Sequence, residues 1–343
     1  MILQSSLSPF PSIKKIATML KKDIQPVCTL CNNRLSTKLI EEIKRDSEVY
    51  SIYLCEECNV GITSPAPTAE ELSELYSAAN YRSICGKRFN PFIEYLIYNF
   101  RLQRKRRIKK YIKKGRILDI GCGRGLFLDI MRRDGWNVTG VEFNKETASY
   151  ATEIYRIHVI TGDLLNWNLP DESLDVVTIY HVLEHVPKPL EIISACKKIL
   201  RKGGLCVIAI PNIASLQASI GKKNWFHLDI PYHLYHFSEE GLCKLLKKND
   251  FRILKIRRFD LEYNLFGWLQ TLLNLSGIKA DLFYNLLKNL ELRRTEYSIL
   301  KNRDLILNFS LLPLYFPLSC LLSAFESFII KGGGTIEVYA VKE

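Results

Sequence analysis

A glycine-rich turn at residues 119–125 contains the residue types that bring a backbone close to a bound ligand. The run reads Asp119-Ile-Gly121-Cys-Gly123-Arg-Gly125, follows the short apolar stretch RILDI and precedes LFLDIMRRDG, whose apolar spacing is helical. Glycine lacks a Cβ and adopts left-handed backbone angles, and the first turn of the following helix presents unpaired N–H groups. The run therefore predicts a ligand-binding loop between a strand and a helix.

An acidic residue at the end of the next predicted strand indicates the kind of ligand. Glu142 lies 21 residues after Gly121, where a carboxylate can accept hydrogen bonds from both hydroxyls of a ribose. A nicotinamide cofactor is the alternative, but its fingerprint is G-x-G-x-x-G, and Asp119 would repel its pyrophosphate. An adenosine ligand with a cationic amino-acid tail fits the G-x-G-x-G spacing better. We therefore predict that the loop binds S-adenosylmethionine (SAM).

Five of the six histidines lie between positions 181 and 236, and histidine has the pKa that a proton acceptor needs near neutral pH. His181, Glu184 and His185 follow the predicted strand LDVVTIY, and residues just past strand ends line the ligand crevice of a doubly wound sheet. The H-x-x-E-H run also fits an inverted zinc-peptidase motif, but that motif requires a helix and Pro187 follows at once. SAM donates a methyl group, and a hydroxyl that accepts this group must lose its proton. We predict that a histidine removes this proton and that Glu184 orients the histidine ring. A hydrogen bond that only shapes the loop is the alternative.

A second segment rich in aromatic residues and histidine, WFHLDIPYHLYHF at 225–237, is predicted to fold over the mouth of this crevice. It offers His233 as a further candidate base, with His236 second, and an aromatic wall for the acceptor. The alternative is a packed lid whose histidines hydrogen-bond locally.

Four of the ten cysteines form two C-x-x-C pairs, and the other six are scattered singly. A C-x-x-C turn presents two thiolates at tetrahedral angles, and the 23 residues between the pairs can form a hairpin. An all-thiolate site leaves no open position on the metal, so we expect structural Zn²⁺. The predicted ligands are Cys28, Cys31, Cys55 and Cys58.

These residues need a scaffold, and the pattern from Arg116 onward supplies one. Apolar strands alternate with amphipathic helices as far as the predicted strand FRILKIRRF, which predicts a parallel, doubly wound α/β sheet. The last eleven residues, GGTIEVYAVKE, alternate apolar and polar and predict one more strand. Between these two strands the segment 261–332 does not fit the alternation.

Over Arg116–Phe259 and the terminal strand, the chain resembles the class I SAM-dependent methyltransferases, whose first motif VLDIGCGxG is matched here by ILDIGCGRG. The resemblance implies a Rossmann-like, mostly parallel sheet with an antiparallel terminal strand. It implies that Asp119, Gly121 and Gly123 hold the methionine part of SAM and that Glu142 holds the ribose. Asp163, in TGDLL after the third strand, would bind the adenine amino group.

The resemblance extends to three further motifs. LEHV at 183–186 is similar to the signature of the ubiquinone-biosynthesis O-methyltransferases and their relatives. Many of these relatives have Glu where this chain has His181. A divalent-metal role of that Glu therefore does not carry over to position 181. The W-x-x-x-D-x-P-x-H-L-x-x-F pattern at 225–237 resembles the corresponding segment of the methyltransferase type-23 group. PAPTAEELSELY at 65–76 is similar to the segment that follows a zinc ribbon in many sugar and glycan methyltransferases.

The net charge of +12 is concentrated in one helix, predicted over residues 91–114, because residues 101–116 hold ten Lys plus Arg and no acid. An RNA methyltransferase is therefore an alternative, but YHVLEH is not the N/D-P-P-Y motif of enzymes that methylate base amines. The apolar stretch 304–330 is interrupted by Pro313 and Pro317, which predicts a broken helix pair that lies in a membrane interface or covers an apolar pocket. A basic helix beside such a pair favours a peripheral membrane enzyme.

The composition, 47% apolar and 24% charged, excludes a disordered or integrally membranous chain. We predict a cytoplasmic, SAM-dependent methyltransferase, peripheral on the inner face of the membrane, that O-methylates a sugar, a lipid-linked glycan or a similar small-molecule hydroxyl. A prenylated quinol acceptor, RNA methylation and a catalytically silent scaffold are the alternatives, and nucleic acid is not the expected partner. The oligomeric state stays open. The predicted units are a lead-in (1–25), a zinc ribbon (26–62), a helical connector with the basic helix (63–115), the SAM-binding core (116–260), an apolar helical insertion (261–332) and the terminal strand (333–343).

Overall fold

The structure is a computed structural model, and it describes residues 26–45, 48–68, 70–72, 89–166, 169–287 and 302–343. The strands are β1 (Thr37–Arg45), β2 (Glu48–Cys55), β3 (Val60–Ser64), β4 (Arg116–Ile120), β5 (Asn137–Glu142), β6 (His158–Thr161), β7 (Leu174–Tyr180), β8 (Leu200–Pro211), β9 (Tyr235–Phe237), β10 (Phe251–Arg257) and β11 (Thr335–Lys342). The α-helices are α1 (Pro91–Ile108), α2 (Leu126–Arg133), α3 (Lys145–Tyr155), α4 (Pro189–Ile199), α5 (Leu216–Gly221), α6 (Glu239–Lys248), α7 (Phe266–Leu275), α8 (Leu282–Leu287) and α9 (Asn302–Ala324). The predicted lead-in, 1–25, lies outside the described residues.

The central sheet is mixed and mostly parallel, which confirms the predicted fold class. Over the described part of the chain its seven strands run in the order β10-β11-β8-β7-β4-β5-β6. Strands β4 to β8 pair in parallel, whereas β11 pairs antiparallel with both β8 and β10. The parallel strands are apolar runs because helices cover both faces of the sheet. In β8, for example, every residue from Gly204 to Pro211 is buried.

A second, antiparallel sheet joins the cysteine-rich segment to the aromatic segment at 225–237. Strands β1, β2 and β3 form a meander that carries the cysteines, and β9 adds to its edge with Gly61 opposite His236. Gly61 permits this pairing, because a Cβ there would lie 2.8 Å from Ile52 Cγ2 and 3.1 Å from His236 Cβ. The predicted ribbon therefore extends to Ser64 and acquires a strand, β9, from the segment 225–237.

The connector carries two helix starts with side-chain caps. Thr68 and Glu71 form a reciprocal capping box, in which each backbone N–H donates to the side chain of the other residue. Asn90 caps α1 by accepting from Ile93 N (3.0 Å), with Pro91 in the first helical position. The basic helix, predicted over 91–114, ends at Ile108. Lys110 N and Tyr111 N donate to carbonyls three residues back, which tightens and closes the last turn.

The insertion between β10 and β11 is helical, but its last helix is not broken at the prolines. The chain forms a π-helical turn (Leu261–Leu265), then α7, α8 and α9, and a second π-helical turn (Phe325–Ile329). Helix α9 continues through Pro313 and Pro317. Because the two prolines are four residues apart, they lie on the same face of α9, and both are exposed.

Candidate active site

The glycine-rich loop leaves the carboxyl end of β4 in left-handed backbone conformations. Gly121, Gly123 and Gly125 have φ angles of 72°, 54° and 78°, which glycine adopts at no steric cost. A Cβ at Gly121 would lie 2.2 Å from Val182 Cγ2. The loop after β7, which carries the H-x-x-E-H run, is therefore packed directly onto the glycine-rich loop.

Two predicted cofactor carboxylates lie beside this loop. Glu142, at the end of β5, accepts hydrogen bonds from Gly123 N (2.9 Å) and Asn144 N (3.0 Å). A carboxylate oxygen can accept more than one hydrogen bond, so ribose hydroxyls could bind Glu142 as well. Asp119, in β4, is 5% exposed and accepts a 2.6 Å hydrogen bond from Thr178 Oγ1. Burial raises the pKa of Asp119 to about 6, although Thr178 and the nearby arginines oppose this shift.

Asp163 follows β6, the outermost parallel strand, and so lies at the same edge of the sheet as the other candidate SAM ligands. Its side chain is exposed, and Oδ1 accepts a 3.0 Å hydrogen bond from Leu165 N. The structure thus brings all five predicted cofactor residues to the carboxyl ends of β4, β5 and β6, where doubly wound sheets bind ligands.

The predicted catalytic residues surround one buried carboxylate. Glu184 is 1% exposed, and its Oε1 lies 3.5 Å from His181 Nδ1 and 3.9 Å from His233 Nε2. The rings of His185 and His233 pack edge to face with centroids 4.5 Å apart. His181 has a φ of 54°, a strained conformation for a residue with a Cβ, and such strain occurs often at functional sites.

The hydrogen bond of His185 determines which of its nitrogens can accept a proton. Nδ1 donates to the carbonyl oxygen of Tyr232 (3.0 Å), so Nε2 carries the lone pair of the neutral ring. The ligand atoms of Glu184, His185 and His233 lie within 4.8 Å of one another, so these three residues could also hold a divalent cation.

The other two clustered histidines make local hydrogen bonds instead. His227 Nε2 donates to Tyr263 O (3.2 Å), and burial lowers its pKa to about 3. His236, the second candidate base on the aromatic segment, is buried against the ribbon with its pKa well below the ordinary value. Thr63 Oγ1 donates to His233 O (2.7 Å), so His236 Nε2 donates to Thr63 Oγ1 (2.9 Å). For these two residues the packed-lid alternative describes the geometry.

Sequence reasoning missed a charged cluster next to His181. Arg101 Nη1 and Arg104 Nη2 both reach Glu262 Oε2, at 2.6 and 3.2 Å. Tyr263 stacks on His181 with ring centroids 4.1 Å apart and accepts from Arg104 at 3.2 Å. The two arginines hold the pKa of Glu262 at about 2 despite its burial. The i, i+3 spacing of the arginines places both on one helix face. This spacing is the feature of the sequence that could have indicated a shared acidic partner.

Three further cations of the basic run are paired with acidic residues of the protein. Lys105 and Lys109 contact Asp134 at 3.0 and 2.6 Å. Arg107 contacts Asp260 and Glu337 at 3.2 and 3.0 Å. With Arg101, Arg104 and Arg116, which contacts Asp175 at 3.9 Å, six of the ten cations in this run therefore have an acidic partner among the described residues.

The four predicted zinc ligands converge on one point. All four thiol sulfurs lie within 4.8 Å of one another, with Cys28 to Cys58 at 3.9 Å and Cys31 to Cys55 at 3.5 Å. Four sulfurs at about 2.3 Å from a tetrahedral zinc would be about 3.8 Å apart. Burial raises the pKa of Cys28 to about 12, so a cation is needed to hold this thiol as a thiolate. The cluster therefore fits structural zinc.

The strand order 3-2-1-4-5-7-6, read from β6 to β10, and the loop after the first strand define the class. This is the fold of the class I SAM-dependent methyltransferases, and the chain carries such a domain.

Comparisons with known proteins agree with this class. Residues 92–256 match the type-23 methyltransferase family, described as "Methyltransferase domain". The ubiquinone biosynthesis O-methyltransferase of Psychrobacter arcticus is 36% identical over 105 residues, which cover 28% of this chain and 41% of that protein. A "Probable S-adenosylmethionine-dependent methyltransferase" of Mycolicibacterium smegmatis is 28% identical over 138 residues, 40% of this chain and 52% of that protein. The chain thus spans about half, or less, of each curated relative.

Among solved structures, a SAM-dependent methyltransferase from Archaeoglobus fulgidus is similar at 25% identity with a TM-score of 0.44. The similarity covers 72% of this chain and 99% of that one.

Proposed function

We propose that the protein transfers the methyl group of SAM to a hydroxyl of a sugar, a lipid-linked glycan or a similar small acceptor. The observation that carries this proposal is the histidine cluster around buried Glu184, packed through Val182 onto the glycine-rich loop. A hydroxyl oxygen attacks a sulfonium methyl group only as its proton leaves, and a histidine next to the methyl donor can take that proton.

His181 is the first candidate for this base, because it lines a cleft of about 10 Å³, room for about one water molecule. In the proposed step the acceptor O–H bond breaks and its proton moves to the imidazole. The oxygen electron pair forms a bond to the methyl carbon, and the carbon–sulfur bond breaks to leave S-adenosylhomocysteine. Glu184 holds the ring and stabilises the imidazolium that forms. His185 and His233 are the alternative bases.

Replacing the base is expected to lower turnover by about a hundredfold or more while SAM binding stays within a few fold. The variants are His181→Gln, His185→Gln and His233→Gln, with His158→Gln on β6 as a matched control away from the cluster. Turnover is measured as transfer of labelled methyl groups, and SAM binding by calorimetry. Normal turnover in all three variants would remove the base assignment.

The acceptor class is tested by offering labelled SAM with three acceptor pools, namely nucleotide sugars, a membrane lipid extract and total RNA. Label in the sugar or lipid pool supports the proposal. A prenylated quinol in the lipid pool is the specific alternative, favoured by the name of the Psychrobacter relative. Label in RNA alone would overturn the proposal.

Affinity for SAM is expected to fall as the pH drops below about 6. Asp119 has a raised pKa of about 6 in the free protein, and only its charged form attracts the ammonium group of SAM. Below pH 6 the Asp119 carboxyl is mostly protonated and must lose this proton when SAM binds. The Kd for SAM should therefore rise up to about tenfold for each pH unit below 6. Calorimetric titrations at pH 7.5 and 5 measure this. Asp119→Asn should bind weakly at both pH values, and an unchanged pH dependence in this variant would exclude Asp119 as the cause.

A further inference from the structure

Helix α9 and the π-helical turn after it expose a continuous apolar surface, which we call the apolar ridge. Ten large apolar side chains of this surface are 36–68% exposed among the described residues. They are Ile306, Phe309, Leu314, Phe316, Leu318, Leu321, Phe325, Phe328, Ile329 and Ile330. The segment Arg303–Ile329 has a mean hydropathy of 1.9 over 18 residues, long and apolar enough to cross a membrane, yet only 11% of that window is buried.

Four polar side chains of the ridge segment face inward. Asn308, Ser319, Ser323 and Glu326 are each at most 2% exposed. Glu326 accepts from Trp268 Nε1 at 2.8 Å and from Gln217 N at 3.3 Å. No residue between Asp304 and Lys331 other than Glu326 carries a charge, so the exposed side of the ridge is uncharged.

This surface has the chemistry of a lipid-binding element rather than of a protein interface. Protein interfaces combine apolar residues with a polar rim and about one hydrogen bond per 100–200 Å². The ridge offers almost no exposed hydrogen-bonding side chain over its length; Ser310 is the exception among the described residues. The exposed cations Arg303 and Lys331 flank the ridge at its two ends, where anionic headgroups would lie.

Packing within the insertion determines how the ridge could meet a bilayer. Leu305, Leu311 and Leu312 of α9 pack against the cluster that contains Leu269 and Leu273 of α7. Helix α7 is anchored in turn to the aromatic segment, since Thr271 Oγ1 accepts from Phe226 N at 3.1 Å. One side of α9 is therefore held along the protein, so the helix can lie in the interface but cannot be surrounded by lipid.

We propose that the apolar ridge docks the protein onto an anionic lipid bilayer, with α9 lying in the plane of the interface. The same insertion begins with the turn Leu261–Leu265, which stacks Tyr263 on His181. The ridge and the acceptor side of the active site are thus parts of one packed insertion. The methyl acceptor that fits this arrangement is an amphiphile. Its hydroxyl-bearing head would enter the active site while its hydrocarbon tail stays in the lipid. This last step rests on the proposed function.

The docking is tested by flotation of the purified full chain with vesicles of phosphatidylcholine containing phosphatidylglycerol. The triple variant Leu314→Glu, Leu321→Glu and Phe328→Glu places charges on the ridge at positions that are 62%, 68% and 66% exposed, so folding should be retained. The floated fraction is expected to fall at least about tenfold, since each change removes the burial of a large apolar side chain in lipid. The matched control, Leu39→Glu, Val49→Glu and Ile154→Glu, changes exposed apolar residues elsewhere and should float like the parent.

Calorimetric SAM binding to the triple variant separates docking from catalysis. Lost flotation with unchanged SAM affinity supports the proposal, whether or not methyl transfer is detected. Flotation equal to that of the parent would overturn it. A concentration-dependent dimer in sedimentation that the triple variant dissociates, without any effect on flotation, would assign the ridge to a second copy and would also overturn it. Methylation of a long-chain acceptor in vesicles but not of its short-chain analogue would support the amphiphile, and equal rates would exclude it.

Discussion

Gly121→Ala is expected to abolish measurable SAM binding and to lower the free energy of unfolding by about 2–5 kcal/mol. Gly121 has a φ of 72°, which costs a residue with a Cβ about 1–2 kcal/mol. The added Cβ would also lie 2.2 Å from Val182 Cγ2, so the backbone or the loop after β7 must move. Overpacking of this kind typically costs about 1–3 kcal/mol. Because Val182 lies between His181 and Glu184, methyl transfer should be lost together with SAM binding.

Gly277→Ala is the matched control for backbone strain. Gly277 has the same φ of 72°, but apart from its chain neighbours no heavy atom of the described residues lies within 4 Å of the position where its Cβ would be. Its stability loss should stay within about 1–2 kcal/mol, with unchanged SAM affinity. Thermal unfolding and calorimetric titration of both variants give the comparison. Normal SAM binding by Gly121→Ala would show that this loop does not hold the cofactor.

The central sheet could be predicted because its signals are local. RILDI and LDVVTIY are apolar runs bounded by turns. The glycine-rich loop needs left-handed backbone angles, and its glycines indicate this conformation. Helix starts are local in the same way, because Thr68 and Asn144 each accept a hydrogen bond from the N–H three residues further along the chain. The carboxyl-edge position of Glu142 follows from the parallel pairing of β4 and β5.

The contacts between distant segments could not be predicted. Strand β9 has three residues, too few to show a period, and it forms only because β3 offers an edge about 170 residues earlier in the chain. The sequence predicts that the basic run faces an anionic surface. The pairing of Arg101 and Arg104 with Glu262 cannot be predicted, because Glu262 is far from them in the sequence. Burying these cations is tolerable only beside a carboxylate, and that partner belongs to the insertion.

The edge pairing of β3 with β9 also gives the zinc ribbon a role in positioning His233. Thr63 N donates to Leu234 O at 3.0 Å, and Thr63 Oγ1 donates to His233 O at 2.7 Å. On the other side, Leu234 N and Tyr235 N donate to Glu184 O at 2.9 and 3.2 Å. The segment that carries His233 is therefore held between the ribbon and the loop that carries Glu184.

Removing zinc with a chelator is therefore expected to lower turnover by about a hundredfold or more, because small thiolate-zinc modules depend on the metal to fold. The glycine-rich loop follows β4 of the central sheet and not the ribbon, so SAM affinity should change by less than about threefold. Cys55→Ser should reproduce both results, whereas Cys320→Ser, an exposed cysteine outside the cluster, should behave like the parent. Bound zinc is measured by metal analysis, and the state of residues 233–237 by amide hydrogen exchange.

Thr63→Val distinguishes positioning by the ribbon from general loss of structure. The change keeps the β-strand shape and the four cysteines but removes the hydroxyl that bonds His233 O and His236 Nε2. We expect full zinc content, normal SAM affinity, faster exchange at residues 233–237 and a turnover reduced about tenfold, since each lost buried hydrogen bond costs about 1–3 kcal/mol. If exchange accelerated while turnover stayed normal, the ribbon would stabilise the lid without positioning His233 for catalysis.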